Sequence, residues 1–507
     1  MKLVRFSFFL LLAITFSSSV FAQDIIRGCA TPPHKSEGLI KYQKGLIPRV
    51  EKSVNIQYVP VQLFILGEND GSGYTSPLAI LEAFDLLNSD FESMNIHFFL
   101  TENIRYINSS VFNNHTFQQG RTMMAQNNLP GVINVYIVES PAGACGYYSP
   151  SGDAIALGKN CIGAGDRTWS HEMGHFLSLP HTFFGWECVE EISEIPSPAP
   201  AVLGFPTFPT CDNNRVELMD GSNCDSAADG FCDTPPDYLM ERWTCSNQGM
   251  YPDSLTDPNG VRFAVRGINI MSYANDGCVD EFTEDQQGAM LTDLDSRVGL
   301  VDNDDPQTVA AEEDDLVQIS PENNEDIAVS DMVELVWNSV PNAEYYVVQL
   351  HSSSNLNGAV QLITMISDTT LLVDEGLVAR RRYYWRVRPV NRYEVEGDFS
   401  ETIRFRMGEF PTSTIDQALN AAITVAPNPV SGGQFLRING QNLGSSGALS
   451  LELMNAAGQV IVAQQQDNVS AAGFTQDIPT AGLPAGVYFL RLQLNERLVT
   501  RRIVVTP

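Results

Sequence analysis

The chain has 507 residues, 43% of them hydrophobic, which is enough for about three or four folded domains. Its 61 acidic and 30 basic residues give a formal net charge of −31 at pH 7. Nucleic acids and anionic membranes attract basic surfaces, so this charge excludes both as expected partners and suits an extracellular protein.

Residues 1–22 have the features of a secretory signal peptide. Lys2 and Arg5 supply the charged start, an apolar run follows at 6–16, and the small Ala22 suits cleavage after it. Neither this run nor any later stretch is long and apolar enough to span a membrane, so we expect no transmembrane segment in the mature chain. Export predicts disulfides for most of the nine Cys, and the odd count leaves one over.

A polar arm precedes a segment with an α/β pattern. We interpret residues 23–53 as a propeptide or N-terminal arm. Beyond it, apolar runs alternate with a segment whose apolar residues recur every three or four positions. The predicted elements are strands at 54–66, 96–100 and 132–138, an amphipathic helix at 77–94, and a short edge strand at 153–157.

The sequence HEMGHFLSLPH at residues 171–181 carries the strongest functional signal. His171 and His175 are four residues apart, so a helix places both imidazoles on one face. Pro180 cannot continue that helix, and the resulting turn can bring His181 back as a third nitrogen ligand. Three protein ligands with one open position are the pattern of a catalytic zinc, since a structural zinc is usually closed by Cys.

Glu172 lies beside the first of these ligands, where it can take a proton from a water on the zinc as a general base. A pair of His at helical spacing is often a chance arrangement. Here three of the seven His in the chain fall within one short stretch, with Glu at the required offset. Zinc is therefore the predicted cofactor.

Residues 182–268 are rich in loops, Pro and Cys. With little regular structure, such a region needs disulfides or bound metal to stay folded. Asp225, Asp229, Asp233 and Asp237 lie close together there, and clustered carboxylates in a Gly-containing loop suit a calcium ion. A solvated acidic loop is the alternative interpretation.

A second signal follows in the sequence NIMSY at residues 269–273. It resembles the Met-turn of the metzincin metalloproteases, in which Met271 would pack beneath the zinc site. Tyr273 is placed to reach the metal or a developing oxyanion. A capping box at 283–286 then predicts the helix that closes the domain.

The zinc motif and the Met-turn together resemble the metzincins, whose pattern is HExxHxxGxxH. Ser178 stands where that pattern has Gly, and a non-Gly residue in this left-handed turn costs about 1 kcal/mol, so we expect a strained turn. A narrower resemblance to the pappalysin–cytophagalysin (ulilysin-like) group rests on Cys278 after the Met-turn, HTF at 181–183 and DTP at 233–235. RGC at 27–29 matches with a departure, because that group commonly has RCGT.

This resemblance covers roughly residues 27–300 and implies part of the site. It implies calcium near Asp229 and Thr234. It also implies that Asp276 lines the pocket for the residue after the scissile bond, where a carboxylate would favour Arg or Lys. In such enzymes an edge strand pairs with extended substrate, which here would be the strand at 153–157.

The cysteines leave several pairings open. Cys145 and Cys161 flank a predicted hairpin and can pair, and the resemblance implies a disulfide between Cys245 and Cys278. A Cys29 thiolate can fill the open zinc position until the arm is removed, which resembles the cysteine switch of some metalloprotease precursors. A free or paired Cys in a flexible arm is the alternative.

The predicted fold class is a metzincin-like α+β catalytic domain at 54–302, with an α/β upper part, followed by two all-β sandwich domains. An acidic linker occupies 303–316. At 317–408, short strands alternate apolar and polar residues, and Trp337 with the Tyr/Trp strand at 383–388 resembles a fibronectin type III sandwich.

After a second linker at 409–421, residues 422–507 contain VAPNP, LELMNAAG and LPAGVY in that order. This order resembles the C-terminal sorting domain of the type IX secretion system. The resemblance implies passage across a bacterial outer membrane with that machinery as a partner. The expected location is extracellular, either free or attached to the bacterial cell surface.

The predicted function is a secreted zinc endopeptidase that hydrolyses peptide bonds of extracellular proteins. The main alternative is a non-catalytic adhesin or binding protein on a metalloprotease-like fold. Glu172 argues against it, because a binding site has no need of the base. A zinc amidase for a non-peptide substrate would share the same site chemistry.

Overall fold

The computed structural model of the chain describes residues 28–101, 104–186, 215–301, 310–327, 332–356, 360–374, 376–408, 417–428, 430–455, 460–484, 486–495 and 497–506. The predicted signal peptide, Arg27, Cys188 and Cys211 lie outside the described residues. The described part forms an N-terminal domain (28–301), a middle domain (310–408) and a C-terminal domain (417–506).

The helices are α1 (Glu37–Gln43), α2 (Pro77–Phe91), α3 (Ser110–Asn113), α4 (Phe117–Asn127), α5 (Thr168–Phe176), α6 (Glu284–Ser296) and α7 (Gln417–Ala422). The N-terminal domain contains strands β1 (Gln57–Gly67), β2 (Ile96–Leu100), β3 (Arg105–Asn108), β4 (Asn114–His115), β5 (Ile133–Val138), β6 (Ser140–Pro141), β7 (Gly146–Ser149), β8 (Ala154–Gly158), β9 (Leu255–Thr256) and β10 (Arg262–Phe263). None of the helices in the described ranges has the length and apolar character needed to cross a bilayer.

The N-terminal domain is built on a six-stranded sheet of order β2–β1–β5–β8–β7, in which β3 also pairs with β1. The β1–β2, β1–β5 and β5–β8 pairs are parallel, and the β7–β8 pair is antiparallel. Every residue of β5 and β8 is buried. Their continuous apolar sequences are those of parallel strands covered on both faces.

The strand predicted at 153–157 exists as β8, but its predicted edge position was wrong. β8 lies between β5 and β7, so the edge of the sheet is β7. The physical reason is the composition of β8, because AIALG has no polar side that could face solvent at an edge. The β7–β8 hairpin instead places β7 at the edge of the sheet, where a further chain segment can pair with it.

Helices cover both faces of this sheet. α2 and α5 pack on one face, where the ring centroids of Phe84 and Trp169 lie 5.4 Å apart. The helix predicted at 77–94 is α-helical to Phe91 and ends in one 3-10 turn. α4 was not predicted, and it covers the opposite face through Met123 and neighbouring apolar residues.

The second half of the N-terminal domain is tied together by covalent bonds rather than by a sheet. The structure joins Cys145 to Cys161, Cys224 to Cys232, and Cys245 to Cys278. The thiol of Cys29 is free. α6 begins at the predicted capping box, since Thr283 accepts from the backbone of residue 286.

The middle domain is a sandwich of two sheets. Its strands are β11 (Gln318–Ser320), β12 (Glu325–Ile327), β13 (Val333–Trp337), β14 (Tyr345–His351), β15 (Val360–Ile366), β16 (Thr370–Val373), β17 (Arg382–Val390) and β18 (Ile403–Met407). They form the orders β11–β13–β16 and β12–β18–β17–β14–β15. Trp337 from one sheet and Trp385 from the other meet in the core, with ring centroids 6.4 Å apart.

The middle domain packs against β2, at one edge of the N-terminal sheet. The ring of Tyr393 stacks on Phe99 with centroids 4.8 Å apart, and its carbonyl lies 2.8 Å from His97 Nε2. Leu100 N donates to the carbonyl of Arg392 over 2.9 Å. The contact covers an otherwise open strand edge.

The C-terminal domain is a second sandwich. Its strands are β19 (Ile423–Ala426), β20 (Val430–Ser431), β21 (Phe435–Gln441), β22 (Gly447–Asn455), β23 (Val460–Val469), β24 (Gly473–Pro479), β25 (Gly486–Leu494) and β26 (Arg497–Thr506). The sheet orders are β19–β21–β24 and β20–β26–β25–β22–β23. Alternate apolar residues of both sheets fill the core.

Candidate metal centre and active site

α5 carries the first half of the site. The helix begins at Thr168, whose backbone N–H donates to Asp166 Oδ1 over 2.9 Å. Every residue from Trp169 to Phe176 is buried, so the helix lies inside the domain. The helical repeat sets the rings of His171 and His175 on one face, with centroids 4.8 Å apart.

A tight turn brings His181 back to the same point. Ser178 has φ of 77°, the left-handed conformation expected at this position, and the N–H of Leu179 donates to the carbonyl of Gly174 over 2.9 Å. The ring of His181 then lies 4.5 Å from that of His175, centroid to centroid. The strained turn therefore sets the position of the third imidazole.

The three His and Cys29 converge on one point. One ligand atom from each lies within 4.8 Å of all the others, and Nε2 of His175 is 3.1 Å from Nε2 of His181. Among the described residues, His171 Nε2 is buried without a hydrogen-bond partner. Buried nitrogens aimed at one point, with one of them unpartnered, fit a bound metal ion, and this donor set suits zinc.

Backbone carbonyls orient two of these rings. His171 Nδ1 lies 2.7 Å from the carbonyl of Ile270, and His175 Nδ1 lies 2.7 Å from that of Leu179. An Nδ1–H donor leaves Nε2 with a lone pair facing the cluster. Burial lowers the pKa of His171 to about 3, so its imidazole is neutral at pH 7, as a metal ligand must be.

Glu172 points from the same helix toward β7. It is fully buried, and burial raises its pKa to about 7. A Cβ on Gly146 would lie 2.9 Å from Glu172 Cγ, so glycine at that position leaves room for the carboxylate. Glu172 Oε2 accepts a 2.8 Å hydrogen bond from the hydroxyl of Thr31 in the arm.

Met271 packs against α5 at Gly174. A Cβ on Gly174 would lie only 2.5 Å from Met271 Sδ, so the sulfur packs directly against the helix backbone. The backbone N–H of Met271 donates to Asn269 Oδ1 over 2.8 Å, and Asn269 Nδ2 donates to Gln286 of α6 over 2.8 Å. The turn is thus fixed to the closing helix.

Tyr273 lies beside the cluster. Its ring centroid is 5.0 Å from that of His181, and its hydroxyl donates to the carbonyl of Cys29 over 2.7 Å. The hydroxyl that we expected to reach the metal or an oxyanion is therefore bonded to the arm in this structure.

The arm lies along β7, the edge strand. Cys145 N donates to the carbonyl of Gly28 over 3.0 Å, and Ala30 N donates to that of Gly146 over 2.9 Å. Thr31 accepts from the N–H of Tyr148 over 2.8 Å while it donates to Glu172. Thr31 was not identified from the sequence, because its role depends on how the arm pairs with a strand that is distant in the chain.

Asp276 lines a small neighbouring cavity together with Glu172 and His171. Arg242 donates to Asp276 Oδ2 over 2.6 Å. The backbone N–H of Arg167 donates to Asp276 Oδ1 over 3.1 Å. The structure therefore places Asp276 beside the cluster but already paired.

The acidic residues of the loop differ in burial and in their hydrogen-bond partners. Asp229 is buried, and both of its carboxylate oxygens accept from Thr234 Oγ1 over 2.9 Å. Burial and the charge of Asp229 raise the pKa of the buried Glu217 to about 9. Glu217 was not identified from the sequence, since it stands apart from the run of Asp residues. Asp229, Thr234 and Glu217 supply hard oxygen ligands of the kind that calcium prefers.

Two other Asp residues of the loop have hydrogen-bond partners in neighbouring segments. Asp233 is exposed and accepts from Thr283 Oγ1 over 2.8 Å at the start of α6. Asp237 is buried and accepts from the hydroxyls of Thr182 over 2.7 Å and Ser272 over 3.1 Å. Asp237 thereby ties the segment after His181 to the Met-turn.

Comparisons with known proteins give matches to parts of the chain. A family described as the secretion system C-terminal sorting domain matches residues 424–506. Similar curated proteins are an extracellular metalloprotease of Pyricularia oryzae, 25% identical over 43% of this chain and 68% of that protein, and extracellular metalloprotease 1 of Coccidioides posadasii, 22% identical over 51% of this chain and 85% of that protein.

Solved structures similar to parts of the chain include the FN1–FN3 domains of chicken CNTN1, at 12% identity and a TM-score of 0.16 over 37% of this chain and 66% of that one. Another is a set of fibronectin(III)-like modules of Clostridium thermocellum CbhA, at 12% identity and a TM-score of 0.15 over 38% of this chain and 92% of that one. The chain carries a type IX sorting domain, which implies contact with that secretion machinery. It is a secreted protein with distant similarity to extracellular metalloproteases.

Proposed function

We propose that the protein is a secreted zinc-dependent endopeptidase of the metzincin type, resembling the pappalysin–cytophagalysin group. The observation that carries the proposal is the convergence of His171, His175 and His181 on one point with Glu172 beside it. The distant similarity to extracellular metalloproteases supports the same chemistry. A binding protein would gain nothing from burying a carboxylate there, since burial of a charge is costly.

His171, His175 and His181 would hold the zinc ion, which when bound supplies a Lewis acid that polarises the scissile carbonyl and acidifies a water molecule. Glu172 accepts the proton of the attacking water and delivers it to the leaving amine. Tyr273 is the donor placed to stabilise negative charge on the former carbonyl oxygen, once its hydroxyl leaves the carbonyl of Cys29.

The substrate would add to the sheet along β7, rather than along the strand predicted at 153–157. β7 is the edge strand, and its backbone already pairs with the arm at Gly28 and Ala30. An extended peptide can make the same backbone hydrogen bonds after the arm has left.

The arm would keep the enzyme latent in three ways. Cys29 contributes the fourth ligand atom of the cluster and would occupy the zinc position that the substrate needs. The carbonyl of Cys29 engages Tyr273, and the hydroxyl of Thr31 engages Glu172. Removal of the arm would therefore open the fourth zinc position and free the side chains of Glu172 and Tyr273 at the same time.

A calcium ion near Asp229 and Thr234 would stabilise the loop-rich half, with Glu217 as an additional oxygen ligand. The ion would balance two buried carboxylates, whose mutual repulsion is otherwise unfavourable.

The decisive test is the Glu172→Gln variant, assayed for casein hydrolysis after removal of the arm. Loss of the general base should lower kcat by about 10²–10⁴-fold while the three His still retain zinc. Metal content is measured by elemental analysis, and activity of the parent protein should disappear with a chelator and return with zinc. Hydrolysis by Glu172→Gln at the parent rate would exclude this mechanism and leave the non-catalytic adhesin as the better hypothesis.

A further inference from the structure

An ion pair between Arg242 and Asp276 forms part of the wall of the cavity beside Glu172. In the arm-containing chain this cavity has about 20 Å³ of open space, room for about one water molecule, and Gly28 and Cys29 of the arm line it. On that wall Arg242 lies 2.6 Å from Asp276 Oδ2, and Asp276 Oδ1 accepts from the backbone of Arg167. Both carboxylate oxygens are thus engaged before any substrate arrives.

The backbone around Arg242 is fixed, so the pair is a built feature of the wall. The next residue, Trp243, is buried, and its N–H donates to the carbonyl of Tyr273 over 3.2 Å. Its carbonyl accepts from Asn275 N over 2.9 Å. The disulfide of Cys245 ties the same segment to the chain beyond Asp276.

We propose that Arg242 is a specificity-determining residue that pairs with Asp276, so that the cavity accepts uncharged substrate side chains in preference to Lys or Arg. This inference rests on the proposed peptidase function and refines it. A basic side chain that approaches the carboxylate meets the positive charge of Arg242, and displacing Arg242 would lose a charge-assisted hydrogen bond for the one gained. Without Arg242, the Asp276 carboxylate would face the cavity and attract a cation.

The test compares the arm-free parent enzyme with Arg242→Ala on a peptide library whose residues flanking the scissile bond vary one at a time. Cleavage sites are identified by mass spectrometry, and kcat/KM is measured for the best Leu, Gln, Lys and Arg peptides. We expect the ratio of kcat/KM for basic over uncharged peptides to rise about tenfold in Arg242→Ala, the size of one charge-assisted hydrogen bond. Arg242→Lys is the matched control, because it keeps a cation beside Asp276.

The double variant Arg242→Ala/Asp276→Asn should lose the gain, since no carboxylate remains to bind the basic side chain. A basic-to-uncharged ratio within twofold of the parent in Arg242→Ala, or an equal gain in the double variant, would overturn the inference while the peptidase function stands. Absence of chelator-sensitive hydrolysis in the parent enzyme would overturn the proposed function and this inference with it. Thermal unfolding of each variant identifies any loss of fold.

Discussion

Ser178 shows how one residue sets the geometry of the proposed zinc site. Its φ of 77° lies in the left-handed region, where a side chain with a Cβ is disfavoured. The turn nevertheless forms, because the helix end and the buried His181 determine its path together. A local backbone cost is thus offset by the packing of the surrounding chain.

Replacing Ser178 with Gly should therefore stabilise the protein by about 1 kcal/mol, because glycine adopts this conformation with little strain. Urea unfolding monitored by fluorescence measures the change. Ser178→Ala is the control, since it removes the hydroxyl and keeps the Cβ, and it should unfold like the parent. A destabilised Gly variant would show that strain at this turn is negligible.

Thr31 is the residue through which the arm engages the catalytic base. Its hydroxyl bridges Tyr148 N and Glu172 Oε2, each over 2.8 Å. In the arm-containing chain, Thr31→Val should raise residual peptidase activity about tenfold, the size of a hydrogen bond to a charged group.

Peptide hydrolysis measured before and after removal of the arm checks this prediction. Thr31→Ser keeps the hydroxyl and should stay latent, whereas Cys29→Ser should be the more active variant because it removes the proposed metal ligand. All forms should have equal activity once the arm is gone. Unchanged latency in Thr31→Val would mean that the hydroxyl plays no part in inhibition.

At the scale of an element, the acidic loop at 215–237 illustrates how a segment without regular structure is held. Its buried carboxylates, Asp229 and Glu217, repel one another, and burial raises the pKa of Asp229 to about 7 and that of Glu217 to about 9. Unfolded carboxyl groups titrate near about 4. The folded state therefore favours the neutral carboxyl groups. Their contribution to the free energy of unfolding is largest below about pH 4, and it is lost as the pH rises through the folded pKa values.

Without calcium, the midpoint of thermal unfolding should fall as the pH rises from about 5 to 9. Saturating calcium should remove this slope and stabilise the fold by about 2.7 kcal/mol at a concentration one hundred times the dissociation constant. Calorimetry in matched buffers measures both effects. Glu217→Gln should weaken them, whereas Asp225→Asn, at an exposed position, should not. A calcium response that is the same in both variants would contradict the assignment.

At the scale of the whole molecule, the middle domain packs directly on the N-terminal domain. Tyr393 stacks on Phe99, and its carbonyl lies 2.8 Å from a His97 ring nitrogen on the edge strand of the N-terminal sheet. Apolar residues from both domains form one continuous core cluster. Contacts of this kind couple the unfolding of neighbouring domains.

Tyr393→Ala should therefore separate the unfolding of the middle domain from that of the N-terminal domain, which differential scanning calorimetry detects as a second transition. The lost aromatic packing should cost about 3 kcal/mol. Tyr384→Ala is the control, because Tyr384 lies on β17 opposite His351 within the middle domain, and its unfolding should remain a single transition. A single unchanged transition in Tyr393→Ala would show that the interface contributes little.

The sequence by itself determined the parts of the protein that depend on local spacing. Helical periodicity placed His171 and His175 on one face, and the capping box marked the start of α6. Continuous apolar runs predicted the central strands, and alternation predicted the sandwich of the middle domain. These features follow from the repeat of a helix or a strand, which needs no knowledge of the rest of the chain.

Only the tertiary structure decided which distant segments meet. It showed that β7, and not the strand at 153–157, is the edge of the sheet. It also showed that Thr31 contacts Glu172 and that Arg242 pairs with Asp276. The physical reason is that such contacts depend on strand order and on loop paths, and neither leaves a periodic signal in the sequence.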